Sequence, residues 1–404
     1  MLSQQTIDIV KSTVPALEAH GKEITTKFYE KLFENHPELL NVFNHANQKK
    51  GRQQTALANT VLAAAKHIDE LEVLLPAVKQ IGSKHRSLAV KPEHYPIVGE
   101  NLLAAIKDVL GDAATDEILN AWAEAYGEIA NVFIGIEKEM YKEAETQQGG
   151  WKDFASFTVK RKEKESSMVT SFYFVRTDEK ELPTFKPGQY ISVRVKPEGE
   201  EYTMIRQYSL SDAPGQNHYR ISVKREASTP EGKVSNYLHD FVKEGDIVEI
   251  TAPAGDFVLD SEKTSPVTLI GGGVGVTPLM SMLKTIASQQ PNRDTTFIQA
   301  AESAEVQAFK DEIQQTVEAM ESARSFTFLS SGPVQEDKRI RLGRIDENAL
   351  KAILYPVEGD FYICGPAPFM RAMSDHLKAL GAKEEQIHYE FFGPALPLGD
   401  VQPL

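Results

Sequence analysis

The spacing of apolar residues changes period once along this chain, and that change limits the folds open to it. Up to about residue 148 the apolar positions recur at helical intervals. Ile7, Val10, Val14 and Leu17 form one set, with Ser3 placed to cap it. Ile24, Phe28, Leu32 and Phe33 form a second, with Tyr29 beside that face, and Pro37 opens a short helical turn ending near Phe43. The pattern then predicts helices from about Gln48 to Ala65, Glu72 to Ala89, Glu93 to Val109 and Asp116 to Glu143. At Gln147-Gln148-Gly149-Gly150-Trp151 the composition breaks, and helical spacing gives way to alternation.

Short alternating runs follow at Phe157 to Lys160, Thr170 to Val175, Tyr190 to Val195, Tyr219 to Val223 and Ile247 to Ile250. Their even spacing, with Gly/Pro turns between them, predicts a small antiparallel β-barrel with one helix at about Val234 to Phe241. From Pro266 strands and helices alternate. Strands are predicted at Val267 to Ile270, Thr296 to Ala300, Ser325 to Leu329, Phe361 to Cys364 and Ile387 to Phe391. Helices are predicted at Leu279 to Ala287, Glu305 to Met320, Glu347 to Leu354 and Phe369 to Leu380, which makes a doubly wound α/β sheet. The 404 residues thus divide into an all-α domain (1–148), an antiparallel β-barrel domain (151–262) and an α/β domain (263–404).

In the barrel segment Arg206-Gln207-Tyr208-Ser209 combines a forked phosphate donor, a flat ring and a hydroxyl, a set suited to a flavin. An ordinary strand with a surface arginine fits those four residues equally well. Pro187-Gly188-Gln189-Tyr190 lies upstream and Gly232-Lys233-Val234-Ser235 downstream, where a helix N-terminus would hold a pyrophosphate. The formal charge of −14 argues against nucleic acid or an anionic membrane as a main partner. Against that background Arg206, Lys224 and Arg225 stand out as candidates for a bound anion, although solvated strand-edge charges are expected among them.

Gly271-Gly272-Gly273-Val274-Gly275-Val276-Thr277-Pro278 sits between a predicted strand and helix, where bare backbone can cradle a pyrophosphate. Pro278 replaces the third glycine of the usual dinucleotide fingerprint, a departure from ordinary Rossmann dehydrogenases. Cys364 is the only cysteine, which excludes an intramolecular disulfide and a thiolate metal cluster. It falls at a strand's carboxyl end, as a small buried residue without a covalent role. No apolar run approaches a membrane span, and the N-terminus lacks a signal peptide's apolar core.

In the helical third His85 lies on an apolar stripe between Ile81 and Leu88. A hydrogen-bonded core histidine fits that place too. Phe43, the pair Gln53 and Leu57 one turn apart, and His85 would together enclose the apolar slot that a haem needs.

On these residues the chain resembles the bacterial flavohaemoglobins, a globin fused to a ferredoxin-reductase-like FAD and NAD(P) module, and the resemblance spans nearly the whole chain. It implies His85 as the proximal ligand of a b-type haem iron, Tyr29, Gln53 and Leu57 on the distal side, and Phe43 packed on the haem. It pairs Tyr95 and Glu137 with His85, although spacing alone favours an exposed helix charge for Glu137 and a loop aromatic for Tyr95. Lys84 is implied to face the flavin domain, where a solvated lysine is an equal reading. For FAD it implies Tyr190, Arg206, Gln207, Tyr208, Ser209 and Lys224, with Gly232, Val234 and Ser235 at the pyrophosphate. For NADH or NADPH it implies Gly273, Val274, Gly275, Val276, Thr277, Pro278 and Cys364. Glu390, Phe391, Phe392, Gly393 and Pro394 would close over the flavin.

The implied activity is nitric oxide dioxygenation, with NO and O2 as small-molecule partners and NO detoxification as its use. Two rivals remain: an O2 or NO sensor or carrier with a maintenance reductase, and a general flavin or lipid hydroperoxide reductase. Glu302, after the second strand of the α/β domain and with no arginine beside it, leans towards NADH. A cytoplasmic monomer without integral membrane association is expected.

Overall fold

The computed structural model describes residues 2–43, 48, 51–227, 231–333 and 337–393. They group into two compact units. One is centred on the helices up to Phe154, with Arg194–Arg206 joined to it; the other comprises Ala155–Val193 and Gln207–Phe392.

In the helical unit α1 (Gln4–Ser12) is capped by Ser3, whose Oγ accepts from the Thr6 N–H at 3.1 Å. The pattern from Ile7 to Leu17 predicts one helix, but the chain turns at Thr13 and α2 (Val14–Asn35) begins there. Pro15 is the cause: it has no N–H to continue α1, and its ring would strike the carbonyl four residues back. The turn is anchored, since the Thr13 hydroxyl donates to Val10 O at 2.6 Å and accepts from Trp122 Nε1 at 3.1 Å. A 3₁₀ turn (Pro37–Asn41) leads towards Phe43, and α3 (Arg52–Lys66), α4 (Leu75–Ser87), α5 (His94–Leu110) and α6 (Asp116–Thr146) follow. Val10, Leu17, Ile24, Phe28 and Leu32 pack with Leu102, Ile106 and Trp122 into one core. No helix among the described residues is long and apolar enough to cross a membrane.

Two sheets follow, which lie in the second unit except for Phe154 and the strand residues within Arg194–Arg206. The first takes β1 (Phe154–Lys164), β2 (Val169–Arg176), β3 (Tyr190–Val195), β4 (Met204–Ser209), β5 (Tyr219–Lys224) and β6 (Ile247–Thr251), with α7 (Lys233–Asp240) between the last two. It is antiparallel, in the order β4-β3-β6-β1-β2-β5, and Leu210 just past β4 bridges Ile221 of β5, which closes the barrel. Phe157, Val159, Phe172, Phe174, Ile191, Val193, Tyr219 and Ile221 are buried.

The second sheet is parallel throughout, in the order β10-β9-β8-β7-β11-β12. Its strands are β7 (Val267–Gly272), β8 (Thr295–Ala301), β9 (Ala323–Leu329), β10 (Ile340–Leu342), β11 (Asp360–Cys364) and β12 (Ile387–Glu390). Helices α8 (Val276–Gln289) and α9 (Lys310–Glu318) help form one core, while α10 (Glu347–Leu354) and α11 (Ala367–Ala379) help form another. The sheet is therefore covered on both faces, and β7 is buried at all its positions, as a central parallel strand must be. The chain order reverses beside β7, between β8 and β11, so the loops at the carboxyl ends of β7 and β11 flank the crevice where such sheets bind ligands. Edge strand β10 has no counterpart among the predicted strands, because three residues with Arg341 between Ile340 and Leu342 carry too little apolar signal. Helix α9 starts after Phe309, which takes φ +59°, and so is shorter than the predicted Glu305 to Met320.

Gly188 shows how tightly the barrel meets the α/β layer. Its φ is +105°, and a Cβ there would collide with the Phe257 carbonyl and lie 2.6 Å from Met282 Cε of α8. Gly188→Ala is expected to cost about 2–4 kcal/mol, from backbone strain plus overpacking. Gly381→Ala, at φ +101° with open space around it, is expected to cost about 1–2 kcal/mol. Urea unfolding midpoints of the two full-length variants check the order.

Candidate functional site

The helical site is organised by one stripe of α6. Tyr126, Ala130, Phe133, Glu137 and Tyr141 recur at steps of four, three, four and four, so they share a face. Glu137 is 3% exposed, and a carboxylate at that depth is tolerable only when hydrogen-bonded. Its Oε1 accepts from the Tyr95 hydroxyl at 2.6 Å and from His85 Nδ1 at 2.7 Å. Burial, with the Glu137 charge, pushes the Tyr95 phenol far above its usual range, so Tyr95 stays a donor. A carboxylate at Nδ1 places the imidazole proton there and leaves the Nε2 lone pair bare. No described residue bonds Nε2.

Spacing had favoured an exposed Glu137 beside Lys138, and the structure reverses that. Three further residues complete this side, and the α6 stripe was the signal that would have found them. Phe133 lies 5.9 Å from the His85 ring. The Tyr126 hydroxyl donates to the Tyr95 carbonyl at 2.7 Å, and the Tyr141 hydroxyl to the Val90 carbonyl at 2.7 Å. Together they pin the connection between α4 and α5 and hence the facing of His85 and Tyr95.

Tyr29 of α2 sits among aromatic rings, 5.9 Å from Phe33 and 5.8 Å from Phe43. Burial drives its phenol pKa well up, only partly offset by the side chains of Gln48 and Gln53. Tyr29 therefore remains a neutral O–H donor at any working pH. Gln53 keeps a buried Oε1 with no hydrogen-bond partner, a polar atom turned into the interior without a protein group to meet it. Along α3 only Ala64 and Ala65 are fully buried, while Leu57 and Val61 are half-buried against the core. An imidazole with a bare Nε2, half-buried apolar side chains and a neutral tyrosine donor suit a haem. Lys84 donates to the Gly393 carbonyl at 2.5 Å, within the helical unit, so it is not a freely solvated lysine.

In the barrel, Arg206, Gln207, Tyr208 and Ser209 stand in order on β4, with Ser209 buried and Tyr208 half-buried. Barrel closure at Leu210 and Ile221 sets the end of β4 against β5, which carries exposed Lys224 at its end. Arg225 is engaged elsewhere, in a bidentate pair with Asp240 at 2.5 and 2.9 Å, so it leaves the set of candidate anion ligands. Tyr190 of β3 is buried, and its ring closes on Gly255, where a Cβ would lie 2.9 Å away. Gly232 caps α7, Val234 anchors it in the core, and the Ser235 hydroxyl returns to the Gly232 carbonyl at 3.2 Å. A Cβ on Gly232 would collide with Ser235 and Glu226, so this helix N-terminus presents bare backbone suited to a pyrophosphate.

In the α/β layer, Gly273, Val274 and Gly275 form a 3₁₀ turn between β7 and α8. The Thr277 hydroxyl donates back to the Val274 carbonyl at 2.9 Å, and Val276, Thr277 and Pro278 are buried in the first turn of α8. A Cβ on Gly275 would strike the Cys364 carbonyl, so the cradle is pressed onto the end of β11. Phe369, not singled out in the sequence, packs over Gly272 and Gly365, where added Cβ atoms would lie 2.8 Å from its ring. Cys364 is fully buried, burial raises its thiol pKa, and Sγ lies 3.6 Å from the Glu390 carbonyl. A neutral thiol has no covalent role here. Glu390 pairs with Cys364 across the sheet, Phe391 packs on the α10–α11 core, and Phe392 is exposed. Pro394 lies outside the described residues.

Residues 26–133 match the family model described as Globin. Residues 156–259 match that of an oxidoreductase FAD-binding domain, and residues 269–375 that of an oxidoreductase NAD-binding domain. A flavohemoprotein of Bacillus thuringiensis subsp. konkukian is 55% identical over 404 residues, 98% of this chain and 100% of the relative. The structure of the flavohemoglobin from Malassezia yamatoensis, solved with bound FAD and heme, is similar at TM-score 0.84 and 27% identity, covering 97% of this chain and 100% of that one. The FAD/NAD-binding domain of a nitric oxide dioxygenase from Vibrio cholerae is 41% identical at TM-score 0.56, covering 59% of this chain and 99% of that one.

Two variants test the geometry. Glu137→Gln replaces the charged acceptor at His85 Nδ1 and is expected to raise the haem reduction potential and to lower haem affinity or activity by roughly 10–100-fold, read by redox titration and haem transfer. Gly275→Ala is expected to abolish flavin reduction by NADH while FAD content stays at the wild-type level.

Proposed function

The chain belongs to the flavohemoprotein family, and from that premise we propose that it is a nitric oxide dioxygenase driven by NADH or NADPH. Its three domains take haem, FAD and a nicotinamide dinucleotide, and it is an oxidoreductase. We assign the haem to residues 1–148, FAD to 151–262 and the nucleotide to 263–404, in a cytoplasmic monomer. When bound, the haem would supply an iron centre for dioxygen and FAD a carrier able to exchange both electron pairs and single electrons. The net reaction is 2 NO + 2 O2 + NAD(P)H giving 2 nitrate + NAD(P)+ + H+.

The protein's own groups divide this work. His85 would hold the iron through Nε2, and the Glu137 carboxylate on Nδ1 would make the imidazole a strong electron donor. This pair is the observation that carries the proposal, because a strongly donating ligand favours dioxygen activation over carriage. Tyr95 fixes the carboxylate by donating to the same oxygen. Tyr29 would offer its neutral O–H as a hydrogen-bond donor to a haem-bound ligand, and Gln53 would orient that hydroxyl. Leu57 and Phe43 keep the slot apolar and hold water out. Tyr208 and Ser209 seat the flavin ring, Arg206 and the α7 N-terminus its phosphates, and the Gly273–Pro278 turn the nucleotide. NO and O2 are the substrates, and removal of NO is the biological use.

Nitrate formed per NADH consumed, in air with added NO, on protein replete with haem and FAD, tests this directly. Two nitrates per NADH are expected, falling to none in His85→Ala and by roughly 10²–10³-fold in Tyr29→Phe. NADH oxidised without nitrate would overturn the dioxygenase and leave a sensor or carrier with a maintenance reductase. Full NADH-dependent hydroperoxide turnover surviving in His85→Ala would instead identify a general reductase.

A further inference from the structure

The second unit contains a cluster of charges that the chemistry above does not use. Lys284 Nζ lies 2.5 Å from Asp212 Oδ1 and 2.8 Å from Glu312 Oε1. Arg220 Nη1 reaches both oxygens of the same Glu312 carboxylate, at 2.9 and 3.1 Å. The chain of charge is Asp212, Lys284, Glu312, Arg220, alternating in sign. Its ends are tied down. Arg220 Nε donates to Ser211 Oγ at 3.1 Å, Nη2 to the Ser211 carbonyl, and its guanidinium lies 5.0 Å from the Phe309 ring. His218 Nε2 sits 3.2 Å from Asp212 Oδ2.

This is not an exposed pair of the kind that contributes little. The side chains of Arg220 and Asp212 are 3% and 9% exposed, those of Lys284 and Glu312 27% and 28%. Burial opposes the charge on Arg220, but Glu312 and Asp212 outweigh it and its pKa rises. Burial likewise opposes the charge on Asp212, but His218, Arg220 and Lys284 hold its carboxyl well below the usual range. Removing one member therefore strands the others.

Position gives the cluster a task. From Ser209 the chain passes through Leu210, which closes the barrel, straight to Ser211 and Asp212, and Ser211 N donates to the Arg220 carbonyl at 2.8 Å. The flavin-bearing strand thus leads into one end of the cluster without a loop. Lys284 stands on α8, eight residues or about 12 Å beyond Val276 in the nucleotide cradle. Glu312 on α9 joins the two.

We propose that Asp212, Lys284, Glu312 and Arg220 form a latch of positioning residues that sets the spacing between the flavin seat on β4 and the nicotinamide seat at the head of α8. Hydride transfer is the step that spacing controls, since a displacement of one ångström between reacting atoms is costly. The hydride carries its electron pair from nicotinamide to flavin, NADH + FAD giving NAD+ + FADH−. The proposal rests on the oxidoreductase reading of this unit and is independent of the substrate at the haem.

The test uses full-length holoprotein and charge reversal. Lys284→Asp sets three carboxylates together and is expected to slow anaerobic flavin reduction by saturating NADH at least about tenfold, with weaker flavin–nicotinamide charge-transfer absorbance and unchanged FAD content. Lys284→Met, which removes the link without adding repulsion, is expected to slow it about threefold. The double variant Asp212→Arg with Lys284→Asp restores an opposite pair and is expected to return the rate to within about twofold of wild type. In the same holoprotein, amide hydrogen exchange over residues 210–219 and along α8 should rise in Lys284→Asp and fall again in the double variant. Wild-type reduction rates in both single variants, or a slow variant that the reversal does not rescue, would overturn the latch. A wild-type protein whose flavin NADH does not reduce would overturn the oxidoreductase reading instead.

Discussion

A carboxylate buried to 3% exposure is the constraint from which the helical unit takes its form. Glu137 needs donors around it at that depth, since an unpaired charge there costs several kcal/mol, roughly the whole stability margin of a small domain. Its donors come from two other helices, His85 near the end of α4 and Tyr95 at the start of α5, so three helices must converge on one oxygen. Tyr126 and Tyr141 make that convergence rigid by bonding the backbone of the α4–α5 connection. The same bond that settles the carboxylate fixes which imidazole nitrogen is left for a metal. Stability and chemistry here are one hydrogen bond seen from two sides.

The other unit meets the opposite demand, bringing bare backbone close to anionic cofactors. Gly275 presses its turn onto the end of β11, and Gly232 leaves no room for a Cβ between Ser235 and Glu226. Such turns hold phosphates by shape and dipole rather than by net charge. That suits a chain of formal charge −14, in which 58 acidic side chains outnumber 44 basic ones and Arg225 is already paired with Asp240. Where the barrel meets the α/β layer, the tight approach at Gly188 and an apolar seam of Val169, Phe257 and Leu259 are joined by the alternating charges of Asp212, Lys284, Glu312 and Arg220.

The fold was legible wherever periodicity was long and clean. The change from helical spacing to alternation, the buried run at Val267 to Ile270 and the short helix at Glu347 to Leu354 are all where the sequence implied. Legibility failed where one residue overrode the period, as Pro15 did in splitting a helix, or where an element was too short to have a period, as with β10. Site residues followed the same division. His85 and the glycine turn could be singled out by type and spacing, although a core histidine fitted the first as well and only the family resemblance gave either a definite role. Glu137, on a helix flank beside Lys138, reads as surface, because which flank is covered depends on helices far away in sequence. The charge latch was invisible for the same reason: its members lie at 212, 220, 284 and 312, and no local pattern links them.

Helix α6 runs 31 residues, about 46 Å, without interruption. Trp122 near its start holds the turn at Thr13, and Glu137, about 22 Å further along, holds His85. A rod that serves two fixed points cannot change its length freely. One residue inserted between Tyr126 and Glu137 would swing everything beyond it by about 100°, carrying the carboxylate off the imidazole while leaving helix and sequence similarity almost intact. Seven inserted residues would restore the phase to within about 20° but move the carboxylate past its partner. Between Tyr126 and Glu137 the helix is thus a ruler whose solvent-facing positions tolerate substitution but which accepts neither insertion nor deletion, and reading-frame-preserving length changes should be absent from it in any functioning relative.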